Sequence, residues 1–290
     1  VSPRSGTPTA VLLVVVGLAC QEIGASLAVL LFPRVGPLGM VMLRLVFSAL
    51  LLLVIARPSV RGHSGAAWRS VAAFGLVLAT MNGLFYLALE RLPLGVTVTI
   101  EVLGPLVLSI IASRRRSAWL WAVLALAGVV ALGGGWDRLD PLGVLFALGA
   151  AASWSGYILA AARVGREFAG LDGLALAMSI GALISVPFGV ADAGAALLDI
   201  PLVAIGALVA LLSSTIPYTL ELLALRRLAP AAFAILMSLA PATAALAGFV
   251  LLGQHLSWLE VLGIALVIAA SIGAVRSSAR AARGAAEPLG

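Results

Sequence analysis

Residues 88–106 read ALERLPLGVTVTIEVLGPL. A short charged loop, Glu90-Arg91, gives way at Pro93 to an apolar run that carries one carboxylate, Glu101, followed four residues later by Pro105. The pattern returns at a fixed offset of 136 residues, where 224–242 read ALRRLAPAAFAILMSLAPA. Ala88-Leu89 falls on Ala224-Leu225, Arg91-Leu92 on Arg227-Leu228, and Pro105 on Pro241 without a gap. Each copy spans a loop and the helix that follows it, so the chain reads as two related halves.

Outward from these segments, apolar runs fall at about 9–32, 36–56, 68–89, 95–112, 117–135, 141–163, 173–191, 201–225, 230–251 and 257–275. Most approach the roughly 20 residues needed to cross a hydrocarbon core of about 30 Å. Junctions carry breakers: Pro33, Gly36 and Pro37; Pro58 and Gly62; Pro93 and Gly95; Gly133 to Gly135; Pro141; Pro201; Pro230. The fold class expected is all-α integral membrane, with ten transmembrane helices. Five helices per half is an odd number, so the second half enters the membrane inverted, an architecture of transporters that alternate access around a midplane site. The division expected is a cytoplasmic N-terminus at 1–8, a first five-helix repeat at 9–136, a second at 141–275 and a cytoplasmic tail at 276–290.

Composition agrees. Charged residues are 10% and apolar ones 62% of 290 positions, whereas a soluble domain carries about a quarter charged residues. Mean hydropathy is +1.17 and the sequence pI is about 10.9. The positive charge does not point to nucleic acid, because all 18 basic residues are Arg and they sit at helix ends instead of forming a basic patch interleaved with aromatics. The N-terminus and alternate loops hold 14 of them (Arg4; Arg57, Arg61, Arg69; Arg114, Arg115, Arg116; Arg163, Arg166; Arg226, Arg227; Arg276, Arg280, Arg283), against Arg34, Arg91 and Arg138 on the opposite side. By the positive-inside rule both termini face the cytoplasm. The apolar pattern runs past Cys20 to Phe32, so the first run reads as an uncleaved spanning helix. Cys20 has no partner and reads as a small buried hydrophobe. No cofactor or metal is implied, and with no phosphate loop, paired His motif or nucleophile elbow the chain reads as a non-enzyme. Small residues recur every four positions at Ala152, Gly156 and Ala160, at Ala240, Ala244 and Gly248, and at Ala265, Ala269 and Gly273, as ridges for close helix packing.

Glu22, Arg44, Glu101 and Glu221 lie inside the runs. Each costs roughly 2.5–3.5 kcal/mol at a helix centre and needs a partner, a wet cavity or a neutral form. Glu22 and Arg44 fall at nearly equal depth at 1.5 Å per residue, close enough to pair, as a structural tie or as part of a substrate site. Pro105 leaves the carbonyl of residue 101 without its helical donor, and Thr97 shares a face with Glu101. An intramembrane carboxylate suits alternate binding of a proton and an ammonium group, which makes Glu101 and Glu22 the candidates for proton coupling. Asn82 and Tyr86 share a face, as do Tyr218 and Glu221, and Asn82 is equivalent to Tyr218 under the offset. Glu221, near Arg226 and Arg227, reads equally as an interfacial charge. Trp154 and Tyr157 either line a cavity or pack. The candidate substrate site is therefore Glu22, Arg44, Asn82, Tyr86, Glu101, Tyr157, Tyr218 and Glu221.

GASLAVLLFPRVG (24–36), MNGLFYLALERLPLGVTVTIEVLGPL (81–106), SWSGYILAAARVG (153–165), IPYTLELLALRRL (216–228) and ILMSLAPATAALAGFVLLG (235–253) resemble the drug/metabolite transporter superfamily in its EamA-type branch. The resemblance implies a bacterial inner-membrane exporter of small neutral amino acids such as threonine or homoserine, driven by proton exchange. Its partners would be that small-molecule substrate, protons and membrane lipid, as a monomer or homodimer. Export of drugs or other metabolites on the same scaffold is the alternative, and a membrane-embedded enzyme is the rival from another class. A larger, more aromatic cavity would favour the first, and polar residues gathered at one interface the second.

Overall fold

The computed structural model describes residues 7–113, 116–132, 139–225, 227–228 and 230–286. Arg4, Arg114, Arg115, Arg138 and Arg226 of the charge count, and the Gly133 to Gly135 run, lie outside the described residues. Over the described residues each apolar run forms helix. The elements are α1 (Thr7–Val35), α2 (Pro37–Ala56), α3 (Gly65–Leu89), α4 (Leu94–Glu101), α5 (Leu103–Ser113), α6 (Arg116–Leu132), α7 (Pro141–Glu167), α8 (Asp172–Ala193), α9 (Ile200–Ala210), α10 (Ile216–Leu225), α11 (Pro230–Met237), α12 (Ala240–Leu252) and α13 (Trp258–Ala286). Among the described residues nine stretches are long and apolar enough to cross a membrane, four of them assembled from successive helical segments; the fifth run gives only a shorter apolar helix, Trp119–Leu132. No strand occurs among the described residues. The exposed surface along the spans is apolar, with Leu12, Val54, Ile111, Leu183 and Phe249 outward, while Glu22, Asn82, Thr97 and Ser213 are buried. That is the arrangement a lipid solvent demands, and the chain is a membrane protein.

The breaks follow from the prolines. Pro105 cannot donate to the carbonyl of Glu101, and the helix is interrupted at Val102, between α4 and α5. Pro241 does the same to Met237, and α11 ends there. Helix starts are set similarly: Pro37 takes the first turn of α2 after Gly36 at φ 71°, and Asp140 and Asp199 cap α7 and α9, each followed by proline in the first turn.

α2 packs on α8, α3 on α7, α6 on α13, α1 on α10 and α4 on α12. Close approach is through small residues, as where a Cβ on Gly95 would sit 2.8 Å from Cα of Ala245 and one on Gly128 would sit 2.8 Å from the carbonyl of Gly263. Of the three expected ridges, Ala240, Ala244 and Gly248 on α12 are buried, but Ala152, Ala265 and Ala269 are exposed. α7 and α13 bury a neighbouring stripe instead, Gly143, Ala147, Ala150 and Ala151 on one and Gly263, Val267, Ala270 and Ala274 on the other. Both helices carry small residues on more than one face, so their spacing does not say which face meets a helix and which meets lipid.

Alternate loops gather at the two ends of the bundle. At one end Arg34 pairs with Asp199, Arg91 with Asp140 at 2.9 Å, Asp192 accepts from the backbone of Leu38 at 2.8 Å, and the Gln254 side chain accepts from Leu94 N at 2.9 Å. At the other end Asp172 accepts from Ser59 N at 3.3 Å and His63 stacks on Phe168 with ring centroids 4.1 Å apart. Hydrogen bonds from the Arg91 side chain and the Leu142 backbone hold the Asp140 carboxyl below its ordinary 3.8. A lowered folded-state pKa stabilises above the unfolded value and is lost as pH falls through the folded one. The melting difference between wild type and Asp140→Asn is therefore expected to be constant near neutrality and to vanish as pH drops below about 4; a difference that persisted into acid would rule out the ionised pair as its source.

Candidate functional site

The site is built around a proline. Pro217 has no N–H for the carbonyl of Ser213, four residues earlier, and the chain there widens into a π-helical turn, Leu211–Thr215. The freed carbonyl is taken by Arg44 of α2, whose Nη2 donates to Ser213 O at 3.1 Å. Nε of the same guanidinium donates to Ser214 Oγ at 3.2 Å. Nη1 donates to the hydroxyl of Tyr86 at 3.4 Å, and the guanidinium carbon lies 5.6 Å from the Tyr86 ring centroid. Tyr86 is fully buried. Arg44 is thus aimed by partners on α3 and on the π-helical turn, and it borders a cavity of about 190 Å³ in the interior of the bundle.

The cavity is lined from α1 by Gln21, Glu22 and Ala25, from α2 by Arg44, from α3 by Met81, Asn82 and Phe85, from α4 by Val98 and Glu101, and from α7 by Trp154 and Tyr157. The π-helical turn adds Ser213, α10 adds Glu221, α11 adds Met237 and α12 adds Ala240. Met237 and Ala240 flank the break that Pro241 makes, and Glu101 ends α4 at the break that Pro105 makes. Both interrupted helices therefore bring their breaks to the cavity wall.

Six of the eight residues expected at a substrate site, Glu22, Arg44, Asn82, Glu101, Tyr157 and Glu221, line this cavity. Tyr86 sits behind Arg44 as one of its supports. The side chain of Tyr218 lies outside the described residues. Glu22 and Arg44 border the same space, but neither carboxylate oxygen of Glu22 has a hydrogen-bond partner among the described residues. Arg44 donates to α3 and to the π-helical turn, and no hydrogen bond ties Glu22 of α1 to it among the described residues. Glu22 is 2% exposed and lies within electrostatic reach of both Glu101 and Arg44. Asn82 donates to the carbonyl of Leu78 at 2.8 Å, one turn back in α3. Trp154, offered above as lining or packing, lines the cavity. Gln21, Ser213 and Ser214 carry no expectation from sequence, although Pro217 marks the carbonyl of Ser213 by the same logic that Pro105 marks Glu101.

Three glutamates and one arginine thus line a cavity of about 190 Å³, smaller than the about 300–1,000 Å³ of pockets for drug-sized ligands. A cavity wall that carries both signs of charge is complementary to a zwitterion.

The EamA-like transporter family model matches residues 141–276. The threonine/homoserine exporter RhtA of Salmonella typhimurium strain LT2 is 38% identical over 266 residues, which is 91% of this chain and 90% of that protein. RhtA of Escherichia coli strain K12 is 39% identical over the same shares. An uncharacterized transporter of Bacillus subtilis, YwfM, is 30% identical over 70% of this chain and 71% of its own length. A crystal structure at 20% identity superposes with a TM-score of 0.61 over 94% of this chain and 98% of its own, which establishes a shared fold.

Proposed function

The chain belongs to the EamA-like transporter family, and from that premise we propose that it is a bacterial inner-membrane exporter of small neutral amino acids of the threonine and homoserine kind, driven by proton antiport. The observation that carries the reading is the cavity that Arg44 lines together with Glu22 and Glu101. The substrate carboxylate is held at Arg44 and its ammonium at Glu22 or Glu101. When the substrate leaves, that carboxylate takes a proton, which keeps the uncompensated negative charge out of the apolar bundle during the return. The names of the relatives support the cargo and the direction, and the small cavity favours an amino acid over a drug. Polar groups gathered inside the bundle, not at one interface, favour a transporter over a membrane-embedded enzyme.

In this reading the chain crosses ten times, α6 being the fifth crossing, and 9–136 and 141–275 are inverted repeats. The helix pairing supports it. Exchanging the halves carries the pair α3 with α7 onto α10 with α1, and leaves α2 with α8, α4 with α12 and α6 with α13 as pairs. A two-fold in the membrane plane does the same. The family match to 141–276 supports the second half as a unit, and the 14 to 3 distribution of Arg supports an orientation with both termini in the cytoplasm. The cavity's described lining comes from one chain, which supports a monomer or a homodimer of complete units.

The test is threonine efflux from proteoliposomes with an imposed pH gradient. Wild type is expected to respond to the gradient, and Glu101→Gln is expected to lose that response. Gradient-driven efflux at the wild-type rate in Glu101→Gln would remove Glu101 from the proton path.

A further inference from the structure

We infer that Gln254 is a latch on the outer gate: it caps α4 from the other half of the chain, and this tie breaks when the carrier opens outward. The inference rests on the transporter reading with both termini in the cytoplasm, which makes the end that carries Gln254 the outer one. The first N–H groups of a helix have no acceptor within it. α4 starts at Leu94, and Pro93 at its N-cap offers no side-chain acceptor. Gln254, 160 residues further on, supplies one: its Oε1 accepts from Leu94 N at 2.9 Å. Gln254 follows α12, which Gly253 closes at φ 63°, and its own N–H donates to Gly248 O at 3.0 Å. The side-chain amide lies over Gly248, where a Cβ would come 2.5 Å from Oε1. A methyl there would push the amide aside.

The tie closes a seam that leads to the cavity. α4 belongs to the first half and α12 to the second, and they meet closely where Gly95 approaches Ala245. Val98, one turn inward from Leu94, and Ala240, at the start of α12, line the cavity. Gln254 bars the outer end of this seam. Rocking the halves apart on that side parts α4 from α12 and removes the acceptor from Leu94 N. Arg34 with Asp199 and Arg91 with Asp140 also join the halves there, but ion pairs so open to water contribute little. At the opposite end the latch has no counterpart. α4 and α11 match residue for residue at the 136-residue offset, Leu94–Glu101 on Pro230–Met237. Leu94 therefore falls on Pro230, which has no N–H to hold and opens a helix without a cap. A latch outside with no equivalent inside favours the inward-facing state of the unloaded carrier, the state from which an exporter loads.

The experiment places Val98→Cys in a Cys20→Ser background, in right-side-out membrane vesicles, and measures how fast a membrane-impermeant thiol reagent added outside modifies it. Gln254→Ala is expected to raise that rate about threefold to tenfold, the population shift that one net hydrogen bond implies. Gly248→Ala is expected to raise it likewise by displacing the amide. Gln254→Glu keeps an acceptor for Leu94 N and is expected to stay within about twofold of the parent. A rate unchanged in both alanine variants, or raised as much by Gln254→Glu, overturns the inference. Faster modification only in inside-out vesicles also overturns it, by putting Gln254 on the cytoplasmic side. Threonine plays no part in this readout, so failure of the amino-acid cargo would leave the latch standing.

Discussion

Arg44→Ala is expected to reduce threonine counterflow by roughly a hundredfold or more, the scale of losing one side of a buried charge pair. The guanidinium is the only cationic side chain lining the cavity among the described residues, so without it the substrate carboxylate would enter an apolar space already holding Glu22, Glu101 and Glu221. Arg44→Lys is expected to recover only a small part. One ammonium on a flexible stem does not reproduce a planar fork that reaches Ser214 Oγ, Ser213 O and Tyr86 together. Removal of Arg44 also leaves the Ser213 carbonyl without its partner, at a cost of about 1–3 kcal/mol. Melting in detergent separates the two effects: Arg44→Lys keeps a donor near Ser213 and should melt close to wild type while remaining poor in transport. Wild-type counterflow in Arg44→Ala would sink the assigned role of the guanidinium.

The second large effect is on stability. Gly104→Ala places a Cβ that overlaps the carbonyl oxygen of Ala151 and approaches its Cα to 3.1 Å, where α5 crosses α7. The obstacle is backbone, which cannot swing aside, so the two helices must separate and strip the packing from both. A loss of about 3 kcal/mol is expected, at the upper end for overpacking, and with it a clear drop in the melting temperature in detergent and in the yield of monodisperse protein. Gly165→Ala on α7 is the control: nothing lies within 4 Å of its added Cβ, and helix propensity favours alanine there by up to about 1 kcal/mol. Equal melting of the two variants would contradict the crossing.

Much of this architecture is legible before any coordinate. Over the described residues the ten apolar runs become helices, and Pro105 and Pro241 break them where the missing N–H requires. Glu22, Arg44 and Glu101 stand out because an intramembrane charge must have a reason, and all three reach one cavity. Ser213 and Ser214 carry no charge and so raise no alarm, yet they hold the guanidinium. Pro217 is the signal that was available for Ser213. Helical spacing serves less well for packing: it picks the ridge on α12, whereas on α13 it picks Ala265 and Ala269, which face outward.

By itself, then, the sequence determined that this chain is a membrane protein, where its helices lie and where they break. Those are consequences of local rules: apolar length sets the span, unpaired backbone is intolerable in lipid, and proline lacks a donor. Only the tertiary structure decided that Glu22 leaves Arg44 to the π-helical turn about 170 residues away, and that six intramembrane polar residues surround one space. Their partners are chosen by the rotation and depth of each helix against its neighbours, and in a chain this rich in Leu, Ala and Gly many rotations would bury the apolar faces equally well. The cavity follows from the one arrangement in which the buried polar groups meet.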